Sequence, residues 1–65
     1  MKIIVNGDPL DSDAPTLAQL LEQLGKADAK VATSVNEGFV PKTQRADTPL
    51  HDGDRIEIVA PRQGG

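Results

Sequence analysis

An α+β fold is predicted, a β-grasp arrangement in which a mixed sheet of about five strands carries one main helix. Three observations lead to it. The chain opens on a short β-branched stretch followed by Asn6-Gly7, a pair suited to a tight hairpin turn. A leucine stripe at helical spacing comes next, at Leu17, Leu20, Leu21 and Leu24. The last patterned stretch, residues 55–59, alternates polar and apolar as a half-buried strand does.

In chain order, residues 2–6 form the first strand, with Ile3 and Val5 on the core face. Both Asn6 and Gly7 tolerate the positive φ of a type I′ turn. Pro9 lacks a ladder donor, so the return strand is expected to start at Leu10. Asp13-Ala14-Pro15 breaks the chain, and Thr16 is placed as a helix N-cap with Gln19 completing a capping box. Gly25 ends the helix as a left-handed C′ residue.

Residues 30–35 are the next strand, Asn36-Glu37-Gly38 a turn, and Phe39-Val40 a brief return that Pro41 stops. Residues 42–48 are polar and aperiodic, so a connecting loop is expected there, with Leu50 after it as a core plug. Asp52-Gly53-Asp54 reads as a tight turn. In the last strand Ile56 and Ile58 face the core, while Arg55, Glu57 and Val59 face outward. The first and last strands are neighbours running parallel, which leaves few topologies under the right-handed crossover rule. The domain is thus 1–59, and 60–65 is a flexible tail ending in Gly64-Gly65.

Composition narrows the function. Seven basic residues against ten acidic give a net charge of −3, and the basic ones are scattered. With Phe39 the one aromatic residue, neither a basic patch nor a stacking platform exists, so no nucleic acid is expected as partner. No apolar run approaches the roughly 20 residues of a membrane span. A soluble cytoplasmic domain, monomeric when free, is the expectation. The absence of cysteine removes disulfides, thiolate nucleophiles and zinc–thiolate sites. Sixty-five residues also leave little material to wall a substrate pocket.

Conventional catalytic groups are sparse. His51 has no evident nucleophile beside it and reads as a solvated turn residue. Asp52 and Asp54 lack the run of oxygen ligands that calcium requires, and Asp8, Asp11 and Asp13 read as a solvated face; no metal site is expected. No glycine stands in a phosphate-loop pattern.

What remains is the α-carboxylate of Gly65. Chain ends are often rich in glycine without purpose, but a pair without side chains also enters channels closed to any other dipeptide. A carboxylate is a poor electrophile until ATP converts it to an acyl-adenylate. Sulfide or a persulfide could then leave a thiocarboxylate, a carried sulfur that needs no cysteine in the carrier. Extended, the arm from Ala60 reaches ~20 Å at ~3.3–3.6 Å per residue. Arg62 in that arm suits either a partner contact or plain solubility.

Along its whole length the chain resembles the thiamine-biosynthesis sulfur carrier proteins, the ubiquitin-like ThiS family. The resemblance rests on residues 1–7, Thr16-Leu17 with Leu20-Leu21, Val35-Asn36-Glu37, Val40-Pro41-Lys42, Thr48-Pro49-Leu50, residues 52–58 and terminal Gly64-Gly65. The related small subunit of molybdopterin synthase shares the fold and the glycine pair but is usually longer. The resemblance implies a carrier and not an enzyme, with no bound cofactor. It implies that an E1-like adenylyltransferase uses ATP to adenylate Gly65, that sulfur arrives by a cysteine desulfurase route, and that the thiocarboxylate feeds thiazole synthase. A sulfur donor for molybdopterin or another thio-metabolite, and a ubiquitin-like modifier joined to lysines, are the alternative readings. Arg55, Glu57, Val59 and Arg62 are the expected partner contacts. Two positions depart from the family pattern: Arg45 stands where many members carry tryptophan, and Arg62-Gln63 is unusually polar. Both lie where partner contacts could form, which leaves room for a specialised or duplicate carrier serving another sulfur pathway.

Overall fold

The computed structural model describes residues 1–60. The strands are β1 (Lys2–Val5), β2 (Asp8–Asp11), β3 (Ala32–Val35), β4 (Gly38–Val40) and β5 (Arg55–Val59), with helix α1 (Leu17–Gln23) between β2 and β3. They form one mixed sheet in the order β2-β1-β5-β3-β4, the β-grasp arrangement, with β5 parallel to β1 and antiparallel to β3. Of the expected flexible tail, 60–65, all but Ala60 lies outside the described residues.

Both hairpins turn through left-handed asparagines. Asn6 and Gly7 have φ of 50° and 86°, and Asn36 and Glu37 have 50° and 71°. β2 starts at Asp8, two residues before the expected Leu10, and so includes Pro9. Pro9 pairs with Ile4 on an edge strand, two residues from the hairpin, so its missing donor faces the open edge and no ladder bond is lost.

Helix α1 starts where expected. The Thr16 hydroxyl accepts from the Gln19 amide at 3.3 Å, but among the described residues the Gln19 side chain makes no return bond, so only half of the capping box forms. At the other end Gly25 N–H donates to Glu22 O (3.0 Å) and Lys26 N–H to Leu21 O (2.8 Å). With Gly25 at φ 74°, this is a complete Schellman closure.

Leu17, Leu20 and Leu21 meet Ile3, Ile56 and Ile58 in the core, with Leu24 packed at its margin. Truncating any of these buried leucines to alanine costs about 2–5 kcal/mol in comparable cores. Leu50 plugs the core as expected, held by its amide on Pro15 O, while Leu17 N–H reaches Thr48 O.

The largest departure lies at residues 42–48. The expected loop contains a 3₁₀ helix, Lys42–Asp47, and Arg45 on it is buried. Its guanidinium donates from Nε to Thr33 Oγ1 (3.1 Å) and from Nη2 to Val31 O (2.6 Å). That second bond occupies the backbone of Val31, and β3 starts one residue later, at Ala32. Among the described residues no helix is long and apolar enough to cross a membrane.

Glu37 holds a left-handed φ that disfavours any side chain by roughly 1–2 kcal/mol, while its own side chain is exposed. Glu37→Gly is therefore expected to raise the unfolding free energy by up to about 1 kcal/mol, less whatever glycine's added chain entropy removes. A lower urea midpoint for the variant would show that the Glu37 side chain stabilises the turn.

Candidate functional site

β5 is the element that leads to the terminal glycines, and the fold grips it from both sides. On the β1 side, Ile4 N–H donates to Asp54 O and Asn6 N–H to Ile56 O, both at 2.9 Å. The next rung needs a donor and an acceptor opposite Ile58, but the chain has already turned away at Asn6-Gly7. The Asn6 side chain supplies both: Ile58 N–H donates to Oδ1 at 2.8 Å, and Nδ2 donates to Ile58 O at 3.1 Å. A carboxamide carries the same donor–acceptor pair as a peptide group, so it stands in for the missing residue.

Asn36 performs a similar task on the β3 side. Arg55 N–H donates to Asn36 Oδ1 at 3.0 Å, Asn36 N–H donates to Arg55 O at 2.7 Å, and Asn36 Nδ2 reaches Asp54 Oδ1 at 2.9 Å. Each turn asparagine thus closes its own hairpin and extends the ladder on β5.

The outward face of β5 carries Arg55, Glu57 and Val59, all exposed as expected. Ser34 is cross-strand to both Glu57 and Phe39, and Ala32 is cross-strand to Val59. The structure therefore adds Phe39 to this face. Phe39 is 71% exposed and Val59 59%, the large apolar side chains most open to solvent among the described residues. Phe39 faces outward because its strand neighbour Val40 is buried and successive side chains alternate faces; the two-residue stretch alone does not say which of the pair is buried. Shallow hollows of about 160 and 320 Å³ flank Val59. The larger one is at the low end of the ~300–1,000 Å³ typical of ligand pockets, and both lie open to solvent.

The polar candidates weighed from the sequence have structural roles. Asp54 accepts from Asn36 Nδ2 and, through Oδ2, from the His51 amide at 2.8 Å. Asp52 Oδ1 accepts from the Lys2 amide at 2.8 Å. His51 is exposed, with Nδ1 3.8 Å from Asp54 Oδ2. Among the described residues no three metal-ligating side chains converge. Arg45, expected at a partner surface, is instead internal, because Thr33 and Val31 draw its guanidinium under the 3₁₀ turn. Arg62, Gly64 and Gly65 lie outside the described residues.

With this geometry in hand, comparison with known proteins is informative. The family model described as "ThiS family" matches residues 3–65. The sulfur carrier protein ThiS of Thermus thermophilus is 39% identical over 61 residues, covering 94% of this chain and 95% of that protein. The sulfur carrier protein ThiS of Escherichia coli is 35% identical over 66 residues, covering all of both chains. A thiazole synthase of Paramagnetospirillum magneticum is 41% identical over 66 residues; this chain spans only 20% of that protein's length. Among solved structures, the crystal structure of a thiamine biosynthesis protein (ThiS) from Geobacter metallireducens superposes with a TM-score of 0.84 at 30% identity, covering both chains fully.

Glycine accepts the left-handed φ of position 6, so Asn6→Gly deletes the side-chain rung while leaving the turn intact. The variant is expected to lose about 1–3 kcal/mol of stability, as an unsatisfied pair of polar groups at Ile58 implies. Amide hydrogen exchange at Ile58 should accelerate more than at Ile56. Equal acceleration at both positions would contradict a local role.

Proposed function

This chain belongs to the ThiS family of sulfur carriers in thiamine biosynthesis, and we propose that the carried sulfur is a thiocarboxylate at Gly65. In this reading residues 1–59 are the handle and 60–65 the working arm. A Gly65 carboxylate oxygen attacks the α-phosphorus of ATP in the site of an E1-like adenylyltransferase, and pyrophosphate leaves. A persulfide delivered by a cysteine desulfurase route then attacks the carbonyl carbon, and AMP leaves. A second thiol of the partner cleaves the S–S bond, giving the carrier's thiocarboxylate and a disulfide on the partner. The thiocarboxylate sulfur is finally given up to the substrate of thiazole synthase.

One observation carries the division of labour: the open apolar face formed by Phe39 and Val59 lies on and beside the strand that leads to the glycines. An exposed apolar patch rimmed by charge suits protein docking, here with Arg55 and Glu57 as the charged neighbours. The hollows among the described residues are open ones, so in this reading the partner provides the active site and this domain provides affinity and aim. The similarity to one fifth of a thiazole synthase adds support for that enzyme as acceptor, since a domain of this kind occurs there within one polypeptide with it.

Removal of Gly65 is expected to abolish ATP–pyrophosphate exchange by the activating enzyme, and persisting exchange would overturn the reading. Phe39→Ala should weaken docking to that enzyme by about tenfold or more, as loss of an interface hot spot does, with the thermal midpoint held. Arg55→Glu should also slow adenylation; unchanged rates in both variants would move the docking surface elsewhere.

A further inference from the structure

Between α1 and the 3₁₀ turn the fold holds a positive charge that no described residue neutralises. Arg45 is only 6% exposed, and its two bonds go to neutral acceptors, Thr33 Oγ1 and Val31 O. The ion pairs of the described residues join Met1 to Asp11 and Asp13, and His51 to Asp54; none includes Arg45. A guanidinium remains charged in proteins, and buried charges are ordinarily paired.

The third guanidinium nitrogen is the informative one. Among the described residues Nη1 has no bond, yet no fully buried side-chain nitrogen or oxygen is left without a partner. Nη1 is therefore not a sealed, unpartnered donor, and it is the guanidinium nitrogen left for a ligand among the described residues. Arg45 lines an open groove of about 180 Å³, whose wall also carries Lys42, Glu22 and the apolar Leu21 and Ala18. At ~30 Å³ per water, that is room for roughly six waters, or for one small oxyanion with some solvent.

We propose that this groove binds one oxyanion group, a carboxylate or a phosphate, with Arg45 Nη1 and Lys42 Nζ as donors. Arg45 is fixed by its bonds to Thr33 and Val31, so the guanidinium is oriented before the ligand arrives. Thr33 is fixed in turn, since its hydroxyl donates to Val40 O at 2.8 Å. Lys42 and Glu22 are both exposed and free to adjust. Glu22 is the group that opposes binding, by repulsion and by competing for both cations. The chain's net charge of −3 disfavours general anion attraction, so any binding here is local.

The test is a titration of the isotope-labelled full chain with inorganic phosphate and with acetate, against chloride at matched ionic strength, observed by NMR. Saturable shifts are expected at Arg45 Nε–H and at the Leu21 and Ala46 amides. Lys42→Gln should weaken the apparent affinity about two- to fivefold, and Glu22→Gln should strengthen it by a similar factor, the scale of an exposed charge pair. Saturation by phosphate alone assigns the site to a tetrahedral anion. Saturation by acetate as well assigns it to carboxylates, which a partner's acidic side chain would supply. Either outcome supports the site. Shifts that are linear and match those in chloride overturn it. So does a Glu22→Gln variant that loses stability and gains no anion affinity, because Glu22 would then be the counter-ion of Arg45.

Discussion

β5 reaches the centre of the sheet without a hairpin to guide it. It pairs in parallel with β1, the first strand of the chain, and antiparallel with β3. Parallel neighbours cannot be joined by a tight turn, so a long crossover is required. Every other element lies within that crossover or borders it. The α1 leucines fill the space over β1 and β5, Leu50 closes the core just before β5 begins, and Gly53 N–H donates to Lys2 O to set the strand's entry. The two turn asparagines then secure the strand's ends, Asn36 at Arg55 and Asn6 at Ile58. The strand that leads to the terminal glycines is thus held along both edges.

That constraint separates two tasks. One face of the sheet is committed to the core through Ile56 and Ile58, and the other remains open with Phe39 and Val59 exposed. Burying the second face under another layer would enlarge the core, but it would remove the exposed face that the proposed function gives to a partner. A small carrier therefore leaves part of its apolar surface uncovered. In the proposed function, docking energy comes from the face and the chemistry is assigned to the terminus.

Much of the architecture was legible because local and global signals agreed. Asn6-Gly7, the Thr16 cap, the leucine stripe and Gly25 each point to the element that forms, and alternation in residues 55–59 identifies both faces of β5. The misreadings share a cause: the outcome depended on a neighbour distant in sequence. Pro9 looked like a strand breaker until the edge position of β2 gave its missing donor no ladder to disrupt. Arg45 reads as a loop residue at a partner surface because its stretch is polar and aperiodic; its burial requires Thr33 and Val31, which only the tertiary fold brings near. The asparagines read correctly as turn residues, yet their second use as surrogate rungs depends on β5 lying alongside. At the site, Arg55, Glu57 and Val59 followed from strand periodicity, whereas Phe39 required the pairing of β4 to be known.

The central claim is that the domain is a handle and the Gly65 carboxyl is where sulfur is held. It is tested most directly by intact-mass analysis of the protein isolated from its source, followed by sequencing of its C-terminal peptide. The account predicts a fraction in which one oxygen is replaced by sulfur, with the change confined to Gly65. Protein whose Gly65 carries no sulfur under conditions of active thiazole formation, or whose terminus is found amide-linked to lysines of other proteins, would contradict it.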